Sequence, residues 1–203
     1  MNRTTSYGCI SFFMIRKFSL FCKLIRIKTS SESLFSSFMK DYSLAMEECP
    51  CCHSKDNCIF HGFYERNLID FIQETTVYHK ISVTRVKCQS CGHTHAILPD
   101  LIIPYGQYSL FFLLRVLTEY FAHSKTIPEI CERYSITASM LYRWKLIFLR
   151  HMSDWLPVLE QLEISPYGFL KQLCTMESFS VSFALLFFRL TAFSFLQSHQ
   201  NPG

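Results

Sequence analysis

Glycine is scarce in this chain, with six in 203 residues. No Gly-rich phosphate loop, Ser-nucleophile elbow or paired-His metal motif is visible, which removes the usual signatures of nucleotide hydrolysis, acyl transfer and His-based metal catalysis. A strong charge is also missing: the net value is +4, too small to mark a nucleic-acid binder by itself. Past Arg150 the acidic residues are Asp154, Glu160, Glu163 and Glu177. With room for one or two small domains and no catalytic constellation, the sequence reads as a non-enzyme.

Cysteine is abundant, and its spacing is the most informative feature. Cys49-Pro50-Cys51-Cys52 and Cys88-Gln89-Ser90-Cys91 are two Cys-x-x-Cys pairs with 35 residues between them. A two-residue spacer lets one tight turn present two thiolates to one ion, and two such knuckles complete a closed tetrahedral Zn²⁺ site. Cys49, Cys52, Cys88 and Cys91 are therefore the expected ligands of a structural Zn²⁺. Pro50 fixes φ in the first turn, and Gly92 tolerates a positive φ in the second. Cys51 is an extra thiol that would strain the turn if it replaced Cys52. Cys58 and His61 share the two-residue spacer and are a weaker substitute pair. Of His93 and His95, one can hydrogen-bond a ligand thiolate from outside the shell, although a surface role suits both. Cys9, Cys22, Cys131 and Cys174 lack partner spacing and read as partly buried thiols. A redox dithiol would sit where a strand meets a helix, and neither pair opens a helix.

The charge is uneven. Residues 1–45 carry seven Lys and Arg against two acidic residues, and residues 109–151 carry six against three. Residues 1–45 show no clean period and hold a Ser-rich stretch, so they read as a basic leader, disordered or a mis-called start, with Met39 and Met46 as alternative first residues. Arg16 and Lys17 interrupt the leader's apolar stretch and no cleavage site closes it, so a signal peptide is not expected and a cytoplasmic location is. Residues 179–196 are mostly apolar around a central Arg189. They reach only the short limit for a bilayer core of roughly 30 Å, and such an Arg costs about 2.5–3.5 kcal/mol. A buried element or the stump of a longer domain is preferred to a membrane span.

From residue 46 to about 100 the chain looks β-rich. Val77, His79, Ile81 and Val83 recur at period two within residues 75–86, and short apolar runs lie at 59–64 and 94–98. Knuckle, strands, knuckle, strand is a zinc-ribbon layout, with an extended hairpin around residues 67–74 absorbing the long gap. Pro99 and Pro104 bracket a linker. Ser109 can then cap a helix whose Leu110, Leu113, Leu114, Leu117 and Phe121 share one face. Thr126-Ile127-Pro128-Glu129 has capping-box form and starts a second helix ending near Tyr134. Thr137 can cap a third, running to about Met152.

Two helices joined by a three- or four-residue turn give the helix-turn-helix pattern. Ile127, Ile130, Ile136, Leu141, Trp144 and Phe148 would close its core, leaving Thr137, Ser139, Tyr142 and Arg143 to reach base edges. Lys125, Arg133, Lys145 and Arg150 would contact phosphates. The expected fold is α+β: a β-rich zinc ribbon over 46–100, a helix-turn-helix three-helix bundle over 107–152, and an apolar segment over 153–203.

Cys49-Pro50-x-Cys52, the run His61-Gly62-Phe63-Tyr64-Glu65-Arg66 and the stretch from Arg85 to His95 resemble the zinc-ribbon head of bacterial insertion-sequence transposases. Ala96-Ile97-Leu98-Pro99 and the helices beyond it resemble an uncharacterised, transposase-related bacterial family. The resemblance implies binding to double-stranded DNA, with a second copy or a transposase as protein partner. It does not extend to the cutting domain, because some 50 residues after Arg150 cannot hold an RNase H-like fold. The first knuckle departs from the pattern in having His53 where such heads carry Gly. A non-catalytic protein-interaction module with structural zinc, and a membrane-associated protein, are the alternatives.

Overall fold

The computed structural model describes residues 14–17, 30–42, 48–99, 101–155, 164–175, 183, 186–187, 190–191 and 194–198. Its centre is a long antiparallel hairpin of β2 (Cys58–Ile72) and β3 (Thr75–Cys88), in register from Cys58↔Cys88 to Ile72↔Thr75. The two strands thus fill most of the interval between the cysteine pairs. Gln73 and Glu74 make the turn with φ of 48° and 65°. Two left-handed residues match the right-handed twist of the flanking strands, although Asn and Gly are the usual occupants. The pairing slips between Phe60 and Gly62, where His61 forms a bulge and Gly62 takes φ 149°. That backbone region strongly favours glycine.

β4 (Thr94–Pro99) pairs antiparallel with β3, and β1 (Met14–Lys17) pairs parallel with β4, giving the order β1-β4-β3-β2. The leader thus contributes a strand, and it also contributes helix α1 (Ser31–Asp41), capped by the Ser30 hydroxyl. Leu34 and Phe35 of α1 are buried with Leu68, Ile81, Val83, Leu98, Leu101 and Ile102. This corrects the reading of residues 1–45 as disordered for the parts described. The amphipathic spacing of Leu34, Phe35 and Phe38 lies within a Ser-rich stretch that hides it; the rest of the leader lies outside the described residues.

The expected linker is also corrected. Leu101, Ile102 and Ile103 are buried. The Leu101 carbonyl accepts the Leu110 N–H at 2.9 Å, and the stretch that follows the segment is tied to β2: Ile69 donates to the Gln107 carbonyl at 2.7 Å, and Ser109 donates to the Ile69 carbonyl at 2.9 Å. After it come α2 (Leu110–Ala122), α3 (Ile127–Tyr134), α4 (Ala138–Trp155) and α5 (Pro166–Thr175). The caps are those the sequence announces. Ser109 receives the Phe112 N–H, Thr126 and Glu129 form a complete capping box, and Thr137 receives the Met140 N–H at 3.3 Å.

The helical core joins Leu113, Leu114 and Leu117 of α2 to Ile130, Ile136, Leu141, Trp144 and Phe148, as periodicity requires. Ile127 and Phe121 pack at its margin. Two unforeseen contributions complete it. Ile69 and Phe71 arrive from the far end of β2, and Phe169, Leu170 and Leu173 arrive from α5. Phe183, Phe187 and Phe195 join the same cluster, with Phe183 and Phe195 ring centres 4.8 Å apart in edge-on contact. Those residues fall within or beside the apolar tail singled out above, most of which lies outside the described residues. Among the described residues no helix is long and apolar enough to cross a membrane.

One buried carboxylate knits these layers. Asp70, 4% exposed, accepts the Ser31 N–H at 2.6 Å, the Ser109 hydroxyl at 3.0 Å and the Phe71 N–H at 3.0 Å. It therefore faces the N-termini of α1 and α2 together, where unsatisfied N–H groups and the helix dipoles favour an anion. The hairpin turn is held as well: Glu74 pairs with Arg133 of α3, and the Thr76 hydroxyl donates to the Tyr134 carbonyl at 3.0 Å.

Candidate metal centre

The hairpin register sets Cys88 opposite Cys58, and the segments flanking that open end fold back as two matching turns. In each, the N–H four residues after the first cysteine closes onto that cysteine's carbonyl at 2.9 Å, from His53 to Cys49 and from Gly92 to Cys88. The N–H of each first cysteine binds the carbonyl five residues on, at Ser54 and at His93. His53 and Gly92 are thus equivalent positions, and both have positive φ, 57° and 76°. The His side chain tolerates this while its Nδ1 lies 2.8 Å from Glu48 Oε1 at the surface. Left-handed backbone costs a non-Gly residue about 1–2 kcal/mol, and the exposed contact returns well under 1 kcal/mol. His53→Gly should therefore stabilise the protein by about 1 kcal/mol in chemical denaturation.

The turns bring four sulfurs together. The Sγ atoms of Cys49, Cys52, Cys88 and Cys91 all lie within 4.8 Å of one another. Cys49 to Cys91 is 3.7 Å and Cys52 to Cys88 is 3.6 Å. A tetrahedron with metal–sulfur bonds of about 2.3 Å has edges of about 3.8 Å, whereas a disulfide would require about 2.05 Å. The spacing suits a cation at the centre. Cys49 and Cys88 are fully buried, and Cys52 faces solvent.

The surroundings favour charge on some sulfurs and not others. Burial works against the Cys88 thiolate, but the N–H groups of Cys91 and Ser90 and the thiols of Cys49 and Cys52 outweigh it, lowering Cys88 to about 6. Cys52 receives the Ser54 N–H, which favours ionisation, yet desolvation and hydrogen bonding to the other three sulfurs push it up to about 12. Cys91 receives the His93 N–H and is still raised. Four sulfurs this close cannot all ionise until a cation joins them. His95, buried at the start of β4, places Nε2 3.3 Å from Cys49 Sγ. It is the one of the two histidines in contact with one of the four converging sulfurs.

Cys58 is buried and its thiol is pushed up to about 11 by desolvation and then by the charges of Cys88 and Cys49. Cys58 and His61 join neither of the two clusters found among the described residues. Cys131 and Cys174 are half-buried thiols, and Cys9 and Cys22 lie outside the described residues.

The residues assigned to DNA contact fall on and around α4. Thr137, Ser139, Tyr142, Arg143 and Arg150 are exposed, on the side away from buried Leu141, Trp144 and Phe148. Lys145 sits over the rings of Tyr120 and Tyr142, at 5.1 and 5.9 Å. Lys125 pairs with Glu119 at 3.2 Å, and Arg133 pairs with Glu74 and, at 3.4 Å, with Glu119. Leu146 shares the outer face of α4 and is 64% exposed, a feature its helical phase alone could have revealed.

Fold and cluster together define a mixed α+β protein with a four-cysteine site of the kind that holds a structural metal. Residues 49–144 match the model of a family described as a domain of unknown function (DUF6431). No curated protein and no solved structure matches the chain.

Proposed function

We propose that this chain is a DNA-binding protein in which the four cysteines hold Zn²⁺ as a zinc ribbon and α3, its turn and α4 form a helix-turn-helix. The reading makes it akin to the recognition region of insertion-sequence transposases, without a cutting domain, at work in the reducing cytoplasm. A second copy or a transposase is the protein partner that kinship suggests. The observation that carries it is the start of α4. Three residues, 135–137, separate it from a capped α3, and its first two turns offer Ser139, Tyr142 and Arg143 outward over a buried apolar back. The four-sulfur spacing, near that of a tetrahedral thiolate site, supports the zinc assignment.

In this arrangement Arg143 forks onto a guanine edge, while Ser139 and Tyr142 bond bases or phosphates and Thr137 lies at the groove mouth. Lys145 and Arg150 neutralise phosphates. Lys125 and Arg133 would have to leave carboxylate partners to do so, which makes them the weaker contacts. Arg143→Ala should cost about 1–3 kcal/mol at one base position and relax sequence preference, and Lys145→Ala should weaken every sequence alike and reduce the salt slope by about one. Fluorescence anisotropy from 50 to 200 mM salt measures both. Affinity independent of salt over that range counts against DNA as the ligand.

A protein-interaction module is the second reading, favoured by Phe60, Phe63 and Tyr78, which are 58%, 70% and 69% exposed on the hairpin. Exposed aromatics on an edge strand invite a partner. Equal affinity for DNA and for a neutral polymer would select that reading.

A further inference from the structure

Cys51 stands in the middle of the first knuckle, yet its sulfur is not among the four that converge. It meets the second knuckle instead, with Sγ 3.6 Å from His93 Nδ1. Cys51, His93 and Cys91 form a second group whose ligand atoms all lie within 4.8 Å of one another. We infer that they make a second metal position, sharing the Cys91 thiolate with the four-cysteine centre and taking a thiophilic divalent ion such as Zn²⁺.

Three observations carry this. The first is geometric: with metal–sulfur and metal–nitrogen bonds of about 2.3 and 2.0–2.1 Å, the S···N edge of a tetrahedron is about 3.6 Å, the separation found. The second is electrostatic. Four thiolates around one dication leave an excess of two negative charges close to the surface. A second dication with one further thiolate and a neutral imidazole lowers that excess to one. The third is access. Cys51 and Cys91 are half-buried and His93 is exposed, so an ion can reach the site from solvent.

Two thiolates and an imidazole are soft enough to select Zn²⁺ over Mg²⁺ or Ca²⁺. Three protein ligands leave the fourth position to water, so this ion is held less tightly than its neighbour. Because Cys51 belongs to one turn and His93 and Cys91 to the other, the second ion also ties the knuckles together.

The inference rests on the four cysteines holding a metal, and one titration separates the two ideas. Full-length protein, reduced and freed of metal, is titrated with Co²⁺ while thiolate-to-cobalt absorption is followed, and bound metal is then counted after Zn²⁺ exchange. Two equivalents are expected, the second weaker. Cys51→Ser and His93→Ala should each abolish the second equivalent and keep the first. A single equivalent in the unaltered chain overturns the inference and leaves the ribbon standing, whereas none overturns both. Two equivalents persisting in Cys51→Ser and in His93→Ala would place the second ion elsewhere and also overturn it.

Discussion

Chelation of the reduced protein should release the open end of the sheet while the helical core survives. Structural zinc in small domains contributes an apparent 10–16 kcal/mol or so, whereas each hydrogen bond between the knuckles contributes only about 0.5–1.5 kcal/mol. Cys49 and Cys88 are fully buried sulfurs in turns tied to the rest by a few backbone bonds, the Ser54 to Ser90 hydroxyl contact at 2.9 Å, the His95 contact with Cys49 at 3.3 Å and the Cys51 contact with His93 at 3.6 Å. Cys88→Ser should act like the chelator, and Cys131→Ser, altering a half-buried thiol outside the cluster, should not. Hydrogen exchange reports the difference: protection is lost near residues 48–60 and 85–95 and kept in α2 and α4.

Acid should have the same effect as chelation. At neutral pH the metal-free cluster carries a thiolate at Cys88, lowered to about 6, and protons on Cys52, raised to about 12, and on Cys91, also raised. Loading ejects those protons, so the metal-bound form holds fewer and falling pH favours the metal-free form. Below about pH 6 the Cys88 proton must be displaced too, and affinity falls more steeply. Exchange patterns indifferent to chelator at both pH 5 and pH 8 would remove the metal from the account.

Asp70→Ala should be among the most damaging single substitutions in the chain. Hydrogen bonds to a charged group are worth about 1.5–3 kcal/mol each, and each buried donor left unpaired costs about 1–3 kcal/mol. With Ser31, Ser109 and Phe71 all donating to this carboxylate, a loss of about 3–5 kcal/mol is expected. Asp70→Asn keeps the shape but turns one acceptor into a donor facing another donor, and should cost about 2 kcal/mol. Glu65→Ala is the control: exposed and 3.8 Å from Lys80, it should change stability by less than about 0.5 kcal/mol. Urea midpoints at constant slope measure all three. A midpoint for Asp70→Ala within 1 kcal/mol of the unaltered protein would show that the two helix ends need no anion.

The knuckles, β4 and the three helix starts after residue 108 were legible because each depends on local chemistry: a Cys spacer, a period of two, a capping side chain. The rest depends on distant partners. Gln73 and Glu74 carry no turn signature, and their left-handed pair is held by Arg133 and by the docking of Thr76 on Tyr134. The segment with Ile102 and Ile103 looked like a linker because prolines flank it, whereas its apolar side chains join two cores. α5 and the phenylalanines after it form a face against α2 and α4 that no short-range period defines. At the candidate metal centre the gathering of the four cysteines was readable from spacing, but the contact between His95 and Cys49 needed the fold. Asp70 was discernible only as a lone acid in the run Leu68-Ile69-Asp70-Phe71-Ile72.

A β ribbon normally unzips from its free end, yet this one is anchored at both extremities, by sulfurs at one and by α3 at the other. Breathing then begins at an internal break close to the sulfur end, at the unpaired His61 and the glycine beside it. A disturbance at the sulfur end should therefore open the ribbon as far as that break and stop there, because the rungs beyond it stay fastened to α3.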